Sequence, residues 1–545
     1  MAKPNIFDRA VAAVAPVHAA RRAAARTALS MINSGYGNYG ANTVKKSMRG
    51  WMYHGGSPKE DIEDNIDTLR QRSRDAYMGV PTATAALKTK RTNVIAGGLM
   101  PAPQIDADYL RMTPEAAEEL QAQIVREFAL WADTPTCDAE RVGNFYKLQK
   151  LAFLSYMMNG DTLALLPMRQ QPGQPYSLCV RLIEADRVSS PDGYDRLTPT
   201  KVRDYDVQRI VQGVETDAEG MVVAYWIANR HPLASAANIG GPLEWTRVEA
   251  YGEQSGRRNA LFLMDRERIG QVRGVPELAP VLETLKQLGR YTDAEIDAAV
   301  LSAMFTVFVQ PASPTDTRPL GEMLPPEMLI DANDQGSIEL APGAIVSLNP
   351  GETVEFADPK HPNNGYDAFT EALIKQIGAA MEVPPEVLFK QFSTSYSAAR
   401  GALNEFWRTC TMQRDDFVDS FCQPIYEEWF SEAVALGRIK APGYFSDPAI
   451  RKAYTACTWN GPARTNLNPV QEVTAATKRV EAGFSTAQEE TAQMTGGDYS
   501  RNIRQRVIEA TRKKEVDKIS NPQEAPQNIG GTFGGNGPKE DENNA

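Results

Sequence analysis

Because a typical domain has about 150 residues, the 545-residue chain should form about three or four folding units. Its hydrophobic share of 42% can fill several cores, which excludes a peptide hormone, a disordered tail protein and a disulfide mini-scaffold. The net charge of −11 argues against an ordinary polyanion binder, and five scattered cysteines without a C-x-x-C pair favour a reducing compartment over a disulfide framework or a zinc knuckle.

The first fifty residues differ from the rest of the chain in charge. They hold eight lysines or arginines against the single acid Asp8, a local charge of +7 that leaves −18 for the remainder. This pattern fits a mitochondrial transit peptide, a flexible basic arm that touches nucleic acid or an acidic partner, or a frayed surface helix. The longest apolar stretch, 298–309, falls short of the ~20 residues that span a bilayer, so no membrane span is predicted.

Two helices followed by a β-rich region are predicted in the first half of the chain. The helices cover 58–99 and 113–134, because Ser57-Pro58 and Thr113-Pro114 each place a capping hydroxyl before a proline. Short β-rich runs then alternate with turn clusters, which predicts an antiparallel sheet packed on these helices. The runs are 161–167, 178–183, 208–215, 221–228 and 259–264.

The second half is predicted to be mostly helical, with one insertion. In chain order it has an amphipathic helix 276–305, a Pro-rich insertion 310–343, short strands 344–348 and 353–357, a helix from 365 that stops at Pro384-Pro385, and a long helix from 397 to about 436. Residues 440–515 again favour helices, capped at Asn468 and at Ser485-Thr486. The Gly- and Asn-rich end of the chain, with almost no apolar residues, predicts a disordered tail.

Motifs for catalysis, cofactors and metals are weak or missing. Gly35 to Gly40 matches G-x-G-x-x-G, but an Ala/Arg run precedes it where a dinucleotide site needs a strand. The sequence contains no P-loop, no G-x-S-x-G and no H-E-x-x-H, and its four histidines lie far apart. The acidic run 61–67 lacks the spacing of a calcium loop and fits a solvated helix face. We therefore predict no catalytic residue, no cofactor and no metal site.

Several segments, in their order and spacing, resemble the portal proteins of tailed bacteriophages of the lambda type. The similarity runs from about residue 30 to residue 510, and one departure is the segment 264–269, where that family often has a histidine-led strand and an Arg-Pro pair. The matching segments are 93–99, Asn159-Gly160-Asp161, 165–167, 183–188, Gly270 to Pro276, 291–295, 383–388 and 395–400.

The resemblance implies an α+β portal fold with a wing of helices and antiparallel sheet, a helical stem, an α/β clip insertion and a helical crown. Carried over by position, the regions follow in chain order. They are a basic flexible arm 1–50, the wing 51–275, stem helix one 276–304, the clip 305–362, stem helix two 363–383, the tunnel-loop region 384–396, a long helix returning to the wing 397–439, the crown 440–515 and a disordered tail 516–545.

The resemblance also implies a function. Such a protein forms a dodecameric ring at one vertex of a capsid, with a channel for DNA packaging and ejection. Its implied partners are double-stranded DNA that passes independently of sequence, the terminase large subunit, major capsid and scaffold proteins, and head-completion proteins, with no membrane. The implied location is the portal vertex of the virion, after assembly in the cytoplasm of a bacterial host.

The same resemblance implies the residues that face the DNA channel. They lie in the tunnel loop and are Lys390, Gln391, Ser393, Thr394 and Ser395. A loop of small polar residues with one positive charge suits weak contact with phosphates, because a conduit should not hold its cargo.

Side chains in the helix that follows this loop have more than one possible role. Arg400 could pair across a subunit interface, support the loop, or make an ordinary surface salt bridge. Leu403, Phe406 and Trp407 are interpreted as core or interface anchors.

Two other classes of function remain possible from the sequence. A nucleic-acid-processing enzyme or terminase-like subunit would need a phosphate-binding loop or a carboxylate metal cluster, and neither is found. Another head-tail connector protein would usually be much shorter and would lack the order of stem, clip and stem.

Overall fold

The structure is a computed structural model that describes residues 55–191, 210–234, 242–303, 307–309, 329–331, 345–347, 365–391, 395–464 and 468–520, with a few short pieces before residue 50. The chain divides into two compact units, 1–61 and 62–545. In the first unit a 3₁₀ turn covers Lys46–Met48 and helix α1 covers Pro58–Asp61. The Ser57 N–H and hydroxyl both donate to the Glu60 carboxylate, at 2.7 and 3.0 Å. Most of the predicted arm 1–50, and the whole Gly35 to Gly40 motif, lie outside the described residues.

The helix predicted over 58–99 is wrong as one continuous element. After α1 and a 3₁₀ turn at Glu63–Asn65, the chain forms α2 (Ile66–Gly79) and α3 (Pro81–Val94). Val80 between them is extended, because a residue before proline avoids the helical region. Beyond α3 the backbone reverses through Gly98, at φ 127°, into strand β1 (Met100–Pro103).

Two further helices lie before the sheets. Helix α4 (Pro114–Ala132) confirms the second predicted helix, and its cap Thr113 accepts a hydrogen bond from the Ala116 N–H. Helix α5 (Phe145–Asn159) was not predicted; Asn144 caps its start and the left-handed Gly160 ends it. Short 3₁₀ turns cover Pro135–Cys137, Ala185–Arg187 and Ala279–Val281.

The region 161–264 is antiparallel β structure, as predicted, but it forms two sheets rather than one. The first has the order β3-β2-β8, and the second has the order β4-β5-β6-β7. Their strands are β2 (Asp161–Leu165), β3 (Arg181–Ile183), β4 (Ile210–Val211), β5 (Val214–Thr216), β6 (Val222–Ala228), β7 (Trp245–Glu249) and β8 (Ala260–Met264). The single strand predicted at 208–215 is instead the hairpin β4-β5, because Gln212 and Gly213 both have positive φ and reverse the chain. Strand β7 was not predicted.

A pair of long helices continues the chain. Helix α6 (Leu282–Ala303) and helix α7 (Tyr366–Ala380) confirm two of the predicted helices. They pack together through aromatic rings, with the Tyr291 ring centroid 5.6 Å from that of Tyr366 and 5.0 Å from that of Phe369.

Between α6 and α7 in the sequence lies a small parallel sheet. Its strands β9 (Val307–Val309), β10 (Leu329–Asp331) and β11 (Ile345–Ser347) have the order β10-β11-β9. Strand β11 confirms the run predicted at 344–348, whereas the strand predicted at 353–357 lies outside the described residues. Strands β9 and β10 were not predicted.

The predicted long helix is present, with a defect in its middle. Helix α8 (Pro385–Phe389) precedes it, and the long helix consists of α9 (Tyr396–Phe417), a π turn at Val418–Cys422 and α10 (Gln423–Ala435). The Gln423 N–H donates to the Val418 carbonyl, five residues back. Pro424 follows directly and has no N–H for the regular ladder, so the sequence supplies a local reason for the π turn.

The C-terminal part is not wholly helical, which corrects the prediction for 440–515. Strand β12 (Cys457–Asn460) follows helix α11 (Pro448–Thr455) and pairs antiparallel with β1. Helices α12 (Pro469–Glu481), α13 (Ala487–Thr495) and α14 (Tyr499–Ser520) follow, so residues 516–520 are helical rather than part of a disordered tail. Asn468 and Thr486 cap α12 and α13 as predicted. Residues 521–545 lie outside the described part of the chain.

One large hydrophobic core joins distant parts of the second unit. It is rich in aromatic rings: Phe128 lies 4.9 Å from Trp429 between ring centroids, and Phe145 stacks on Phe421 at 6.0 Å. A smaller core between the two sheets contains Leu163, Ile183, Val214, Tyr225 and Ile227.

Among the helices that the structure describes, none is both long enough and apolar enough to cross a membrane.

Candidate functional site

The predicted tunnel-loop region begins with a tight reversal after α7. The Val383 N–H donates to the Gly378 carbonyl at 2.8 Å, and a Cβ at Gly378 would collide with the Val383 carbonyl oxygen. Helix α8 then starts at Pro385, and its Leu388 side chain is buried in the large core. The entrance to the loop is therefore anchored to the body of the protein.

Lys390 and Gln391 lie at the C-terminal end of α8. Lys390 has left-handed backbone angles, φ 56° and ψ 33°, and its N–H donates to the Glu386 carbonyl. The Gln391 N–H donates to the same carbonyl at 3.1 Å, and both side chains are exposed. This geometry ends the helix. Ser393 and Thr394 lie outside the described residues.

Ser395 lies at the N-terminal end of α9. Its hydroxyl accepts a hydrogen bond from the Ala398 N–H at 3.4 Å, so it is the N-cap of the long helix. Capping explains why a serine is suitable at this position, whatever else the side chain contacts.

Arg400 is exposed on the first turns of α9 and lines a cavity of about 390 Å³. The opposite wall belongs to α12 and α13 and includes Glu472 and the ion pair of Arg479 with Glu490, whose two hydrogen bonds are 2.7 and 2.6 Å long. The structure thus brings Arg400 to the C-terminal helices. Phe406 and Trp407 are buried in the large core, as interpreted from the sequence.

The sequence reasoning assigned no role to a buried charge cluster formed by Arg70, Asp161 and Arg273. The Arg273 Nε and Nη2 atoms donate to the two oxygens of Asp161 at 2.8 and 3.0 Å, and the Arg70 Nη2 atom donates to the Asp161 Oδ2 atom at 2.7 Å. All three side chains are almost completely buried. The sequence did mark two of these residues, since Asp161 and Arg273 both belong to segments that resemble those of lambda-type portal proteins.

Arg273 uses all five of its donors. Besides Asp161, it donates to the carbonyl oxygens of Val188, Gln212 and Ala185. Beside it, the backbones of Gly160 and Gly274 approach so closely that a Cβ on either residue would collide with the other. The cluster therefore ties the two sheets to the chain that leads into α6.

The electrostatics of this cluster follow from burial and from opposite charge. Burial raises the pKa of a carboxyl group, but the guanidinium groups of Arg273 and Arg70 hold the pKa of Asp161 below its ordinary value. Burial, together with the charge of Arg273, lowers the pKa of Arg70 to about 10. Both arginines thus stay charged at neutral pH.

A second polar cluster contains Glu184, Asp186 and His231, whose ligand atoms lie within 4.8 Å of one another. Arg74 forms ion pairs with both carboxylates, and its Nη1 atom is 3.2 Å from Glu184. The His231 Nε2 atom is 3.7 Å from Asp186. Because Arg74 pairs with both carboxylates and His231 lies beside Asp186, this group is described well as an ion-pair network.

Comparisons with known proteins give a consistent result. A family model described as "Phage portal protein, lambda family" matches residues 44–414. The chain is 23% identical over 494 residues to the portal protein of Escherichia phage N15, and the aligned region covers 86% of this chain and 88% of that protein. It is 21% identical over 505 residues to portal protein B of Escherichia phage lambda, and that alignment covers 85% of this chain and 90% of that protein.

A further relative is the probable portal protein of Halomonas phage phiHAP-1, which is 25% identical over 392 residues and covers 70% of this chain and 69% of that protein. Among solved structures, the chain is similar to one from the neck of a native gene transfer agent particle, with a TM-score of 0.35 and 13% identity. That similarity covers 78% of this chain and 92% of the other.

Proposed function

The chain belongs to the lambda family of phage portal proteins, and we propose that it forms a dodecameric ring at one vertex of a capsid. As a member of this family it is a portal protein and a component of a virion. The observation that carries this proposal is the single family match from residue 44 to residue 414. It extends from before α1 through most of α9 and so includes both long helices of the predicted stem.

The regions of the subunit are part of the proposal. Helices α6 and α7 would form the stem, and the parallel sheet β9 to β11 would belong to the clip. The side-by-side packing of α6 and α7 supports this assignment, because it gives the clip a two-helix support. We place the start of the crown after Asn460 rather than at residue 440. Strand β12 pairs with β1, and Trp459 is buried in the large core.

The channel would pass double-stranded DNA independently of sequence, with the loop from Lys390 to Ser395 facing the lumen. B-DNA carries one negative charge per ~1.7 Å of its axis, and an acidic subunit repeated around a ring limits tight binding. The net charge of −11 supports this role. Lys390 and Gln391 are both exposed at the end of α8, which supports this position.

The partners and the course of assembly are also proposed. The ring would dock the terminase large subunit during packaging, contact major capsid and scaffold proteins during assembly, and later bind head-completion proteins. Assembly would take place in the cytoplasm of the bacterial host. The ring itself would have no catalytic activity, because the packaging motor is a separate ATPase and this sequence contains no P-loop.

The test is the native mass of the purified protein, with its outline in electron micrographs. We expect a ring with a central hole and the mass of a dodecamer of 59.9-kDa subunits. A protein that stays monomeric or dimeric at every concentration would contradict the proposal. Hydrolysis of ATP by the purified ring would support the alternative of a nucleic-acid-processing enzyme.

A further inference from the structure

An apolar groove lies between helices α3, α8 and α9 and has a volume of about 740 Å³. Its floor contains the partly or fully buried side chains of Val387, Phe406 and Trp407. Met78, which is 78% exposed, stands at its edge. Exposed apolar surface of this kind marks a place where another surface packs.

The rim of this groove is positively charged. Lys88 on α3 and Lys390 at the end of α8 both line it and are exposed, and no carboxylate occurs among the described residues that line the groove. A complementary partner should therefore present apolar side chains flanked by negative charges.

The outer face of α6 has this combination over its C-terminal half, beyond the exposed Lys286 and Arg290 of its first turns. Asp293, Ile296, Asp297 and Val300 follow one another at intervals that place them on one side of a helix, and all four are exposed. Ile296 is 55% and Val300 47% exposed. The other side of α6 packs on α7 through Tyr291, and within the described part of the chain the outer face is open to a further contact.

We propose that the outer face of α6 from one copy of the chain packs into the groove between α3, α8 and α9 of the next copy. Ile296 and Val300 enter the groove, and Asp297 lies against Lys88. Two different surfaces meet in such a contact, and repetition of a heterologous contact closes into a ring when the rotation allows it. This inference rests on the proposed ring and identifies the surfaces that build it.

The direct test is cross-linking between copies. In the double variant Lys88→Cys with Asp297→Cys, a short bismaleimide should produce a ladder of covalent oligomers up to the full ring. A mixture of the two single variants should produce covalent dimers only. The native protein is the blank that reports any reaction of its own five cysteines, of which four are buried and Cys457 is partly exposed.

Charge reversal provides the second arm. Lys88→Glu should lower the fraction of protein in rings about tenfold, and adding Asp297→Lys should restore it. Lys147→Glu, at another exposed lysine, is the matched control and should assemble normally.

The interface is wrong if the double cysteine variant gives no ladder, or if Lys88→Glu assembles as well as the native protein. A single cysteine variant that cross-links to itself would also overturn it, because that result requires a two-fold contact. In each case the ring of the native protein would remain, so the proposed function is tested separately.

Discussion

At the residue scale, Arg273 is the side chain that ties the two antiparallel sheets to the chain leading into α6. It joins the loop before α6 to β2, to the 3₁₀ turn at 185–187 and to the β4-β5 hairpin, all within a buried space. A buried charge is stable only when it is paired and hydrogen-bonded, and here both conditions are met. The short helix ends and caps at Lys390 and Ser395, by contrast, are local arrangements that cost little to change.

Arg273→Ala should destabilise the protein by about 3–5 kcal/mol, because it removes one of the two guanidinium groups that pair with the buried carboxylate of Asp161 and leaves only Arg70 and the Gly274 N–H. The matched control is Arg408→Ala, whose ion pair with Glu405 is largely exposed, and it should change stability by less than about 0.5 kcal/mol. Chemical denaturation followed by circular dichroism measures both. Equal midpoints for the two variants would show that the buried cluster adds nothing.

Asp161 also predicts an acid sensitivity. Its folded pKa is depressed, so it contributes stability above its unfolded value of about 3.9, and that contribution is lost as the pH falls toward the folded pKa. The unfolding midpoint of the native protein should therefore decline more steeply than that of Asp161→Asn between about pH 5 and pH 2. Parallel declines would mean that other carboxyl groups cause the acid loss.

At the scale of elements, β12 separates two parts of the C-terminal region. Its pairing with β1 and the burial of Trp459 tie residues up to Asn460 to the part of the protein that contains the large core. Within the described residues, helices α12 to α14 bury only Ala476 and Glu490. Such helices depend on neighbours more than on their own contacts with the core.

Two truncations test this division. A chain that ends at residue 464 should keep an unfolding midpoint close to that of the full chain, since the core stays intact. A chain that ends at residue 446 also loses α11 and β12, and it should unfold at a much lower denaturant concentration or become insoluble. Similar midpoints for the two truncated chains would contradict the boundary.

On the scale of the whole molecule, the proposed ring would multiply any change in its channel by the number of subunits. Lysines at Ser393 and Thr394 should therefore make the ring bind double-stranded DNA more tightly, with a steeper dependence on salt, because more phosphates are neutralised. Alanines at the same positions are the control and should leave binding weak. Gel-shift titrations of purified rings at several salt concentrations measure the slope, and an unchanged slope would mean that this loop does not reach the DNA.

Local signals predicted many elements correctly. The caps at Thr113, Asn468 and Thr486 and the amphipathic pattern of α6 depend on residues a few positions apart. The break at Val80-Pro81 was also visible in the sequence, because proline disfavours a helical residue before it, and it was overlooked. Helix α5 was missed although Asn144 and Gly160 mark its two ends.

By itself, the sequence determined the α+β class, the helices α4, α6, α7 and α9-α10, and membership of the portal family, because these depend on local pattern and on the order of motifs. Only the tertiary structure decided the pairing of β1 with β12, the parallel sheet β9 to β11 and the meeting of Arg70, Asp161 and Arg273. Each of these joins residues far apart in the chain, and no local propensity specifies such a partner. The net charge of −11 remains as counted, and the structure adds where single charges lie: two buried arginines pair with one carboxylate, and two lysines stand on the rim of an apolar groove.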